Sequence, residues 1–450
     1  MRKFMQKFSK SLNFGMEKYV PESYLFAVAL VFVVFLMGIV IAGKGPMDMA
    51  TYFSDKMWNF LAFSMQMVLM IVTGFVLATT PLGKKVFSTI GRIPKTSVQA
   101  VILVSIIACA LAYLHWGIGL VGGALLAREI GRNMKKLDFK LLVASTYIGF
   151  SLGQVGLSAS EVLLVNTPGH FLEKQIGLIP ATLTAMSAMC LVPMIIAGFI
   201  VLPILFWSLH PDEKDTPSVS EETKLHLAQN LEGGGIENAG ERTFADKVEN
   251  SPIFNILLAL ITLAYLVQWF SSNGFNMTLN IFNLLMLTLG ILFHWTPKNF
   301  YTAFAEGVKI SWGIVLQFPI YAGIQGMMAS SGLAVTVAGW FISLANNWTF
   351  PLWNYIIGAF VNLFIPSSGG IWIVLGPIVV KAGQTLGVSN PTIVESFMFG
   401  EAFSNIIQPF WAIPILAIAG LKIKDIIGHC IIGFATISIV FLISMMFITV

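Results

Sequence analysis

Apolar runs of 18 residues or more recur along this chain, each long enough to cross a bilayer as a helix. They constrain the fold before anything else does. In lipid every backbone N–H and C=O must be paired within the protein, and each one left open costs several kcal/mol. The composition agrees: 56% of the residues are hydrophobic, 11% are charged and the mean hydropathy is +0.81, whereas a soluble domain carries about 25% charged residues. The chain reads as an all-α polytopic membrane protein whose first partner is the lipid bilayer. A soluble enzyme fold is set aside, and no nucleic-acid partner is expected.

Full spans are predicted at 24–42, 57–79, 180–208, 253–270, 278–295, 310–330 and 426–449. Four further apolar segments are interrupted. Residues 97–131 and 350–386 each divide into two short helices, joined at His115-Trp116-Gly117 and at "PSSGG". Residues 140–166 and 391–420 are long enough to span but break internally, at "GQVGLSAS" and "NIIQPFW". Lys84, Lys85, Arg92 and Lys95 precede the first pair, and Arg128, Arg132, Lys135, Lys136 and Lys140 close it, so both its ends belong on the cytoplasmic side. The second pair has nearly uncharged flanks, with Lys381 alone, which suits the outer face. Each pair is therefore predicted to be a re-entrant hairpin, one from each face. With nine crossings the N-terminus lies inside and the C-terminus outside, and 22 of the 26 Lys and Arg residues fall on the cytoplasmic side.

The flanking segments read more simply. In residues 1–20, Phe4, Phe8, Leu12 and Met16 share one face, as in an amphipathic helix lying on the cytoplasmic surface. Residues 209–251 are polar and acidic and read as a flexible cytoplasmic linker, followed by a connecting helix at 253–270. Cys109, Cys190 and Cys430 all lie in apolar segments and imply neither a disulfide framework nor a thiolate metal site.

The order of elements repeats. Span, span, hairpin, broken span, span describes 24–208 and again 278–449, and a shift of 251 residues places Gln66 on Gln317, Gly119 on Gly370, Gly149 on Gly400 and Gly169 on Gly420. An odd number of crossings separates the two starts, so the second unit is inverted relative to the first. Inverted repeats with broken helices are the architecture of secondary transporters.

Irregular backbone survives at membrane depth only where protein buries it or a wet cavity meets it. Two hairpin tips would meet two helix breaks near the midplane. Ser367, Ser368, Gly369 and Gly370 precede the arm 371–386, and Gly117 and Gly119 stand at the start of 118–131. Both clusters are expected to offer open N–H groups at helix N-termini, which attract anions; the same Gly and Ser residues can equally serve close helix packing. The predicted midplane has no Lys or Arg, which favours a monocarboxylate over a multiply charged anion. Trp116, Trp372, Phe410 and Trp411 would wall its apolar tail, and His115, Gln154, Ser158, Asn405 and Gln408 complete the expected substrate site. Ionisable groups inside a membrane are functional candidates. Of His115, Glu161, Glu395 and Glu401, the expected proton carriers are His115, Glu161 and Glu401; if Na⁺ is the coupling ion, it is expected near Ser160 and Asn405. No other cofactor is implied.

The runs "WNFLAFSMQMVLMIVTG", "HWGIGLVGGALLAREI", "QFPIYAGIQGMM", "PSSGGIWIVLGP" and "IIQPFWAIPILAIAGLKIKDIIG" resemble the bacterial short-chain fatty acid transporter family, associated with acetoacetate and butyrate use, in order and over nearly the whole chain. That family is similar to a wider ion-transporter superfamily. The resemblance implies a scaffold domain, a mobile transport domain, an elevator movement, a homodimer and a place in the bacterial inner membrane. The chain departs from the family pattern at the expected site: His115 stands where Asn is usual, Glu161 takes a usually apolar place, and Ser368, Ile371 and Leu375 replace a more Gly- and Gln-rich run. The expectation is a cation-coupled transporter of short-chain monocarboxylates. A transporter of another organic anion, such as a dicarboxylate, and a membrane-embedded enzyme built on His115 are the alternatives.

Overall fold

The structure is a computed structural model and describes residues 3–8, 11, 23–59, 61–212, 214–219, 221, 223, 224, 227, 243–274, 278–363 and 368–448. Most of its helices start where proline or a capping side chain meets an apolar run. In chain order, α1 (Ser23–Val40), α2 (Pro46–Lys56), α3 (Leu61–Ala78) and α4 (Pro81–Gly91) lead to the paired α5 (Ser97–Leu114) and α6 (Trp116–Asn133). α7 (Phe139–Gly153) and α8 (Ser160–Val165) are separated by the non-helical residues 154–159. α9 (Ala188–Leu209) contains a π-helical turn at Ala197–Val201. After α10 (Ile253–Asn273) come α11 (Leu279–His294), α12 (Pro297–Ile310), α13 (Trp312–Ser330), α14 (Leu333–Ile342), α15 (Phe350–Asn362), α16 (Ser368–Thr385), α17 (Asn390–Ser404), α18 (Pro409–Ala419) and α19 (Ile423–Phe447). Among the described residues no strand forms; an isolated bridge pairs Lys136 with Ser218.

By length and composition, five of the described helices can cross a membrane, or up to seven if each bent pair counts as one span. The bends are 71° between α3 and α4 and 46° between α12 and α13. Two predicted spans start later than expected. The one placed at 180–208 begins at Ala188, because the Ser187 hydroxyl accepts the Cys190 N–H and fixes the first turn there. The one placed at 310–330 begins at Trp312, after the bend. Four short helices, α2, α4, α12 and α14, occupy stretches that sequence reading treats as connections. Two of them announce themselves by a threonine cap and a proline in the first turn, at Thr80-Pro81 and Thr296-Pro297.

Glycine decides how the central helices meet. α5 and α6 fold back on each other: a Cβ on Gly119 would fall 2.5 Å from Ala112 Cα, and one on Gly123 would fall 3.1 Å from Ala108 Cβ. α7 rests on α5, with Gly149 over the Ser105 carbonyl and Gly153 over the Cys109 carbonyl, each 2.2 Å from a would-be Cβ. Small residues four apart let two backbones close to this distance. α17 rests on α15 in the same way, with Gly400 over the Tyr355 carbonyl. Along that seam Asn354 donates to the Ile393 carbonyl and Ser396 Oγ, at 2.7 and 2.9 Å, and Asn362 repeats the pattern about two turns later. Adding 251 to the bounds of α7 gives 390–404, the bounds of α17, and adding it to Pro81–Gly91 falls within one residue of α14.

α7 and α17 are the buried axes of the molecule: every residue of Leu141–Gly153 and of Thr392–Ser404 is buried. α10 is the opposite case. Asn255, Ala259 and Leu266 alone are buried on it, and Ile253, Phe254, Leu257, Leu260, Ile261 and Val267 face outward, as a helix bathed in lipid would. The segment expected as a flexible linker is in part docked. Leu137 N–H donates to the Pro217 carbonyl at 2.9 Å, the His210 ring meets Ser97 Oγ at 2.6 Å, and buried Arg128 donates through Nε and Nη2 to the carbonyl of buried Leu227. Most of 220–242 lies outside the described residues, as does most of the expected N-terminal amphipathic helix, of which residues 3–8 are helical with Phe4 and Phe8 stacked and exposed.

Candidate functional site

The helix breaks converge. Residues 154–159 stop α7, and a 3₁₀ turn at Asn405–Ile407 with Gln408 stops α17. Between them lies a cavity of about 30 Å³, room for one or two waters. Gln154, Ser158, Ser160 and Glu161 line it from the first break, Glu401 and Asn405 from the second, and Ser368 from the start of α16. Trp116 and Trp411 close one side as an edge-to-face pair with ring centroids 5.3 Å apart. Thus nine of the residues singled out by sequence face one space: Trp116, Gln154, Ser158, Ser160, Glu161, Ser368, Glu401, Asn405 and Trp411.

The amides at the first hairpin tip are not open. α6 begins at Trp116, so Gly117 and Gly119 lie in its first turn. The four N–H groups there have partners within the protein: Trp116 donates to Ser158 Oγ at 2.8 Å, Gly117 and Ile118 to His115 Nδ1 at 3.0 and 3.3 Å, and Gly119 to the His115 carbonyl at 3.0 Å. The expectation that Gly117 and Gly119 offer bare donors to an anion is corrected on this point. Their glycine character answers to packing, against Met70 O and Ala112. His115 is the cap. Its ring stacks on Phe282 at 3.4 Å, and because Nδ1 accepts two amide protons it must be unprotonated there. That geometry weighs against His115 as a proton carrier.

The second break is wired from three directions. Asn362 Nδ2 donates to the Glu401 carbonyl, Ser404 Oγ and Asn405 Oδ1 at 3.0, 2.8 and 2.7 Å. Gln408 Nε2 donates back to the Asn362 carbonyl at 2.9 Å. From α7, the Tyr147 hydroxyl donates to the carbonyls of Asn405 and Gln408 at 2.6 and 3.2 Å. Asn405 Nδ2 reaches Glu401 Oε1 and Gln154 Oε1, each at 3.5 Å, which ties the two breaks together. Sequence reading missed Tyr147 and Asn362; the signal was present, since each is a polar side chain inside an apolar helix.

The remaining expected residues stand elsewhere. α16 starts at Ser368, so Ser368, Gly369 and Gly370 form its first turn instead of preceding it; Ser367 lies outside the described residues, as does the side chain of Phe410. Gly370 uses its carbonyl to accept from Gln325 Nε2 at 2.8 Å. Trp372 is fully buried against Phe397 and does not line the cavity, so its place is core packing. Gln408 braces the break from behind. Glu395 lies a distance along α17, where the Ser187 hydroxyl donates to it at 2.5 Å. Among the described residues no group of three His, Cys, Asp or Glu side chains could hold a metal.

Comparison with known proteins decides the family. The family model described as "Short chain fatty acid transporter" matches residues 4–448. The chain belongs to the short-chain fatty acid transporter family. Two curated relatives bear a provisional name as short-chain fatty acid transporters: one from Escherichia coli (strain K12), 35% identical over 98% of this chain and 99% of its own, and one from Haemophilus influenzae, 35% identical over 98% and 100%. The crystal structure of the Alcanivorax borkumensis YdaH transporter is similar in fold, with a TM-score of 0.51 at 14% identity over 94% of this chain and 98% of its own. The protein is thus a multi-pass membrane transporter and not an enzyme.

Proposed function

We propose that the protein carries short-chain monocarboxylates such as butyrate or acetoacetate across the bacterial inner membrane, driven by a gradient of H⁺ or Na⁺. One observation carries the coupling: two buried carboxyl groups, Glu161 and Glu401, open onto the one cavity between the helix breaks, and no Lys, Arg or His lines it. Two unit charges 4 Å apart repel by about 4 kcal/mol at an effective dielectric near 20. A carboxylate substrate therefore enters only when a cation has neutralised the pair, which is the logic of symport. Ser368, Gln154 and Ser158 offer uncharged donors for its oxygens, and the Trp116–Trp411 wall suits its alkyl end. A space of about 30 Å³ is too small for a four-carbon acid, so loading requires the cavity to widen.

The recurrence of helix bounds under a shift of 251 residues supports two repeated units, and the charge distribution supports their inversion, with the N-terminus cytoplasmic. An elevator movement in a homodimer is the proposal consistent with that arrangement.

The direct test is uptake of labelled butyrate into proteoliposomes with imposed gradients. Short monocarboxylates are expected to compete and succinate is not; equal competition by succinate would favour the dicarboxylate alternative. A second test concerns His115. Asn is among the best helix caps and removal of a cap costs about 1 kcal/mol, so His115→Asn is expected to retain gradient-driven uptake while His115→Phe melts earlier. Loss of pH-driven accumulation in a well-folded His115→Asn protein would return His115 to the list of proton carriers.

A further inference from the structure

We propose that Glu161 and Glu401, one from each helix break, form a single site for one Na⁺ ion. This deepens the reading of the cavity as the coupling site and rests on it. Glu161 is 1% exposed, and neither of its carboxyl oxygens has a hydrogen-bond partner from another residue. An ionisable side chain left so inside a membrane protein is a costly arrangement unless something absent from the chain itself completes it. Glu401 is 2% exposed, with Asn405 Nδ2 at 3.5 Å and the Ser368 hydroxyl within hydrogen-bonding reach. Both glutamates line the same cavity.

Three features select the occupant. The two glutamates come from different helix breaks, and neither Glu161 oxygen is taken up by another residue, so the pair is left open to a ligand. The gap they face is small, about 30 Å³, which suits a metal ion better than a bulky organic cation. The other lining oxygens, from Gln154, Ser158, Ser160 and Ser368, are hard and uncharged, a set suited to a hard cation. Mg²⁺ keeps several waters for which the cavity has little room. One Na⁺ balances one carboxylate while the other carboxyl stays neutral, and Glu161 and Glu401 are the only titratable groups lining the cavity among the described residues. Filled, the site no longer repels a monocarboxylate.

The test uses the purified full-length transporter in detergent at fixed pH and constant ionic strength, with choline replacing Na⁺. The melting temperature is expected to rise saturably with Na⁺ and not with K⁺, Mg²⁺ or Ca²⁺. Changes outside the ligand shell of a metal already cost about 10–100-fold in affinity, so Glu161→Gln and Glu401→Gln are each expected to raise the half-saturating Na⁺ concentration by at least about tenfold. Glu161→Asp should recover part of the response, and Glu306→Gln, at a surface ion pair with Lys309, should match the unaltered protein. A melting temperature indifferent to Na⁺, a stronger response to Ca²⁺, or an unchanged Na⁺ response in Glu161→Gln would overturn the site. Butyrate uptake driven by a pH gradient alone would overturn Na⁺ and leave the transporter reading standing. Na⁺-dependent melting without uptake of any monocarboxylate would do the reverse.

Discussion

Gly400→Val is expected to abolish uptake and to lower the melting temperature of the purified protein. A Cβ at this position would sit 1.9 Å from the Tyr355 carbonyl oxygen, 2.7 Å from its carbon and 3.0 Å from the Ala359 nitrogen. All three are backbone atoms of α15, so no rotamer change relieves the clash and the two helices must separate. Overpacking of a core costs about 1–3 kcal/mol even when side chains can yield, and here they cannot. Separation also moves Glu401, the next residue, and Asn405, one turn on, out of the cavity they line. Gly339→Ala is the control: nothing lies within 4 Å of a Cβ there, and stability and uptake are expected to stay near those of the unaltered protein. If Gly400→Val transported at more than a tenth of the normal rate, α15 and α17 would not be held as described.

Asn362→Leu is expected to reduce uptake by about tenfold or more, with the protein still inserted and folded. The Asn362 amide serves three acceptors around the second break, the Glu401 carbonyl, Ser404 Oγ and Asn405 Oδ1. The Glu401 carbonyl and Ser404 Oγ keep each other as partners, so Asn405 Oδ1 is left open, and leaving one buried polar group without its partner costs about 1–3 kcal/mol, a factor of about 5–150. Asn354→Leu separates the local effect from general destabilisation. Asn354 makes the same two contacts to the backbone and a serine of α17, at Ile393 and Ser396, away from the break. Its loss should lower the melting temperature comparably and transport far less. Equal transport defects, compared at matched amounts of folded protein, would mean that the asparagines stabilise the helix seam and nothing more.

Much of this was legible beforehand because the bilayer permits so few solutions. Hydropathy alone locates the long helices, and the polar interruptions at 154–159 and 405–408 stand out because irregular backbone in lipid is so costly. Glu161 and Glu401 could be nominated from their rarity in apolar surroundings. Two of the expectations about the site that the structure corrects share one cause. It treated a helix N-terminus as open because glycine follows it, whereas His115 folds back to cap Gly117 and Ile118. It gave Trp372 to the cavity wall because of its place beside the hairpin tip, whereas the side chain points into the core against Phe397. In both cases the direction of a side chain, not its identity, was decisive.

The sequence by itself determined that the chain is helical, membrane-spanning and interrupted within its apolar stretches, since these follow from local hydropathy and the need to pair every backbone group. The tertiary structure alone decided which interruptions face one another. It brought Glu161 and Glu401, 240 positions apart in the chain, to one water-sized cavity, and drew Tyr147 across to hold the break in the other half. The physical reason is that their approach depends on glycine-lined contacts between helices distant in sequence, and the depth of such a contact is set by the two surfaces together and cannot be read from either one alone.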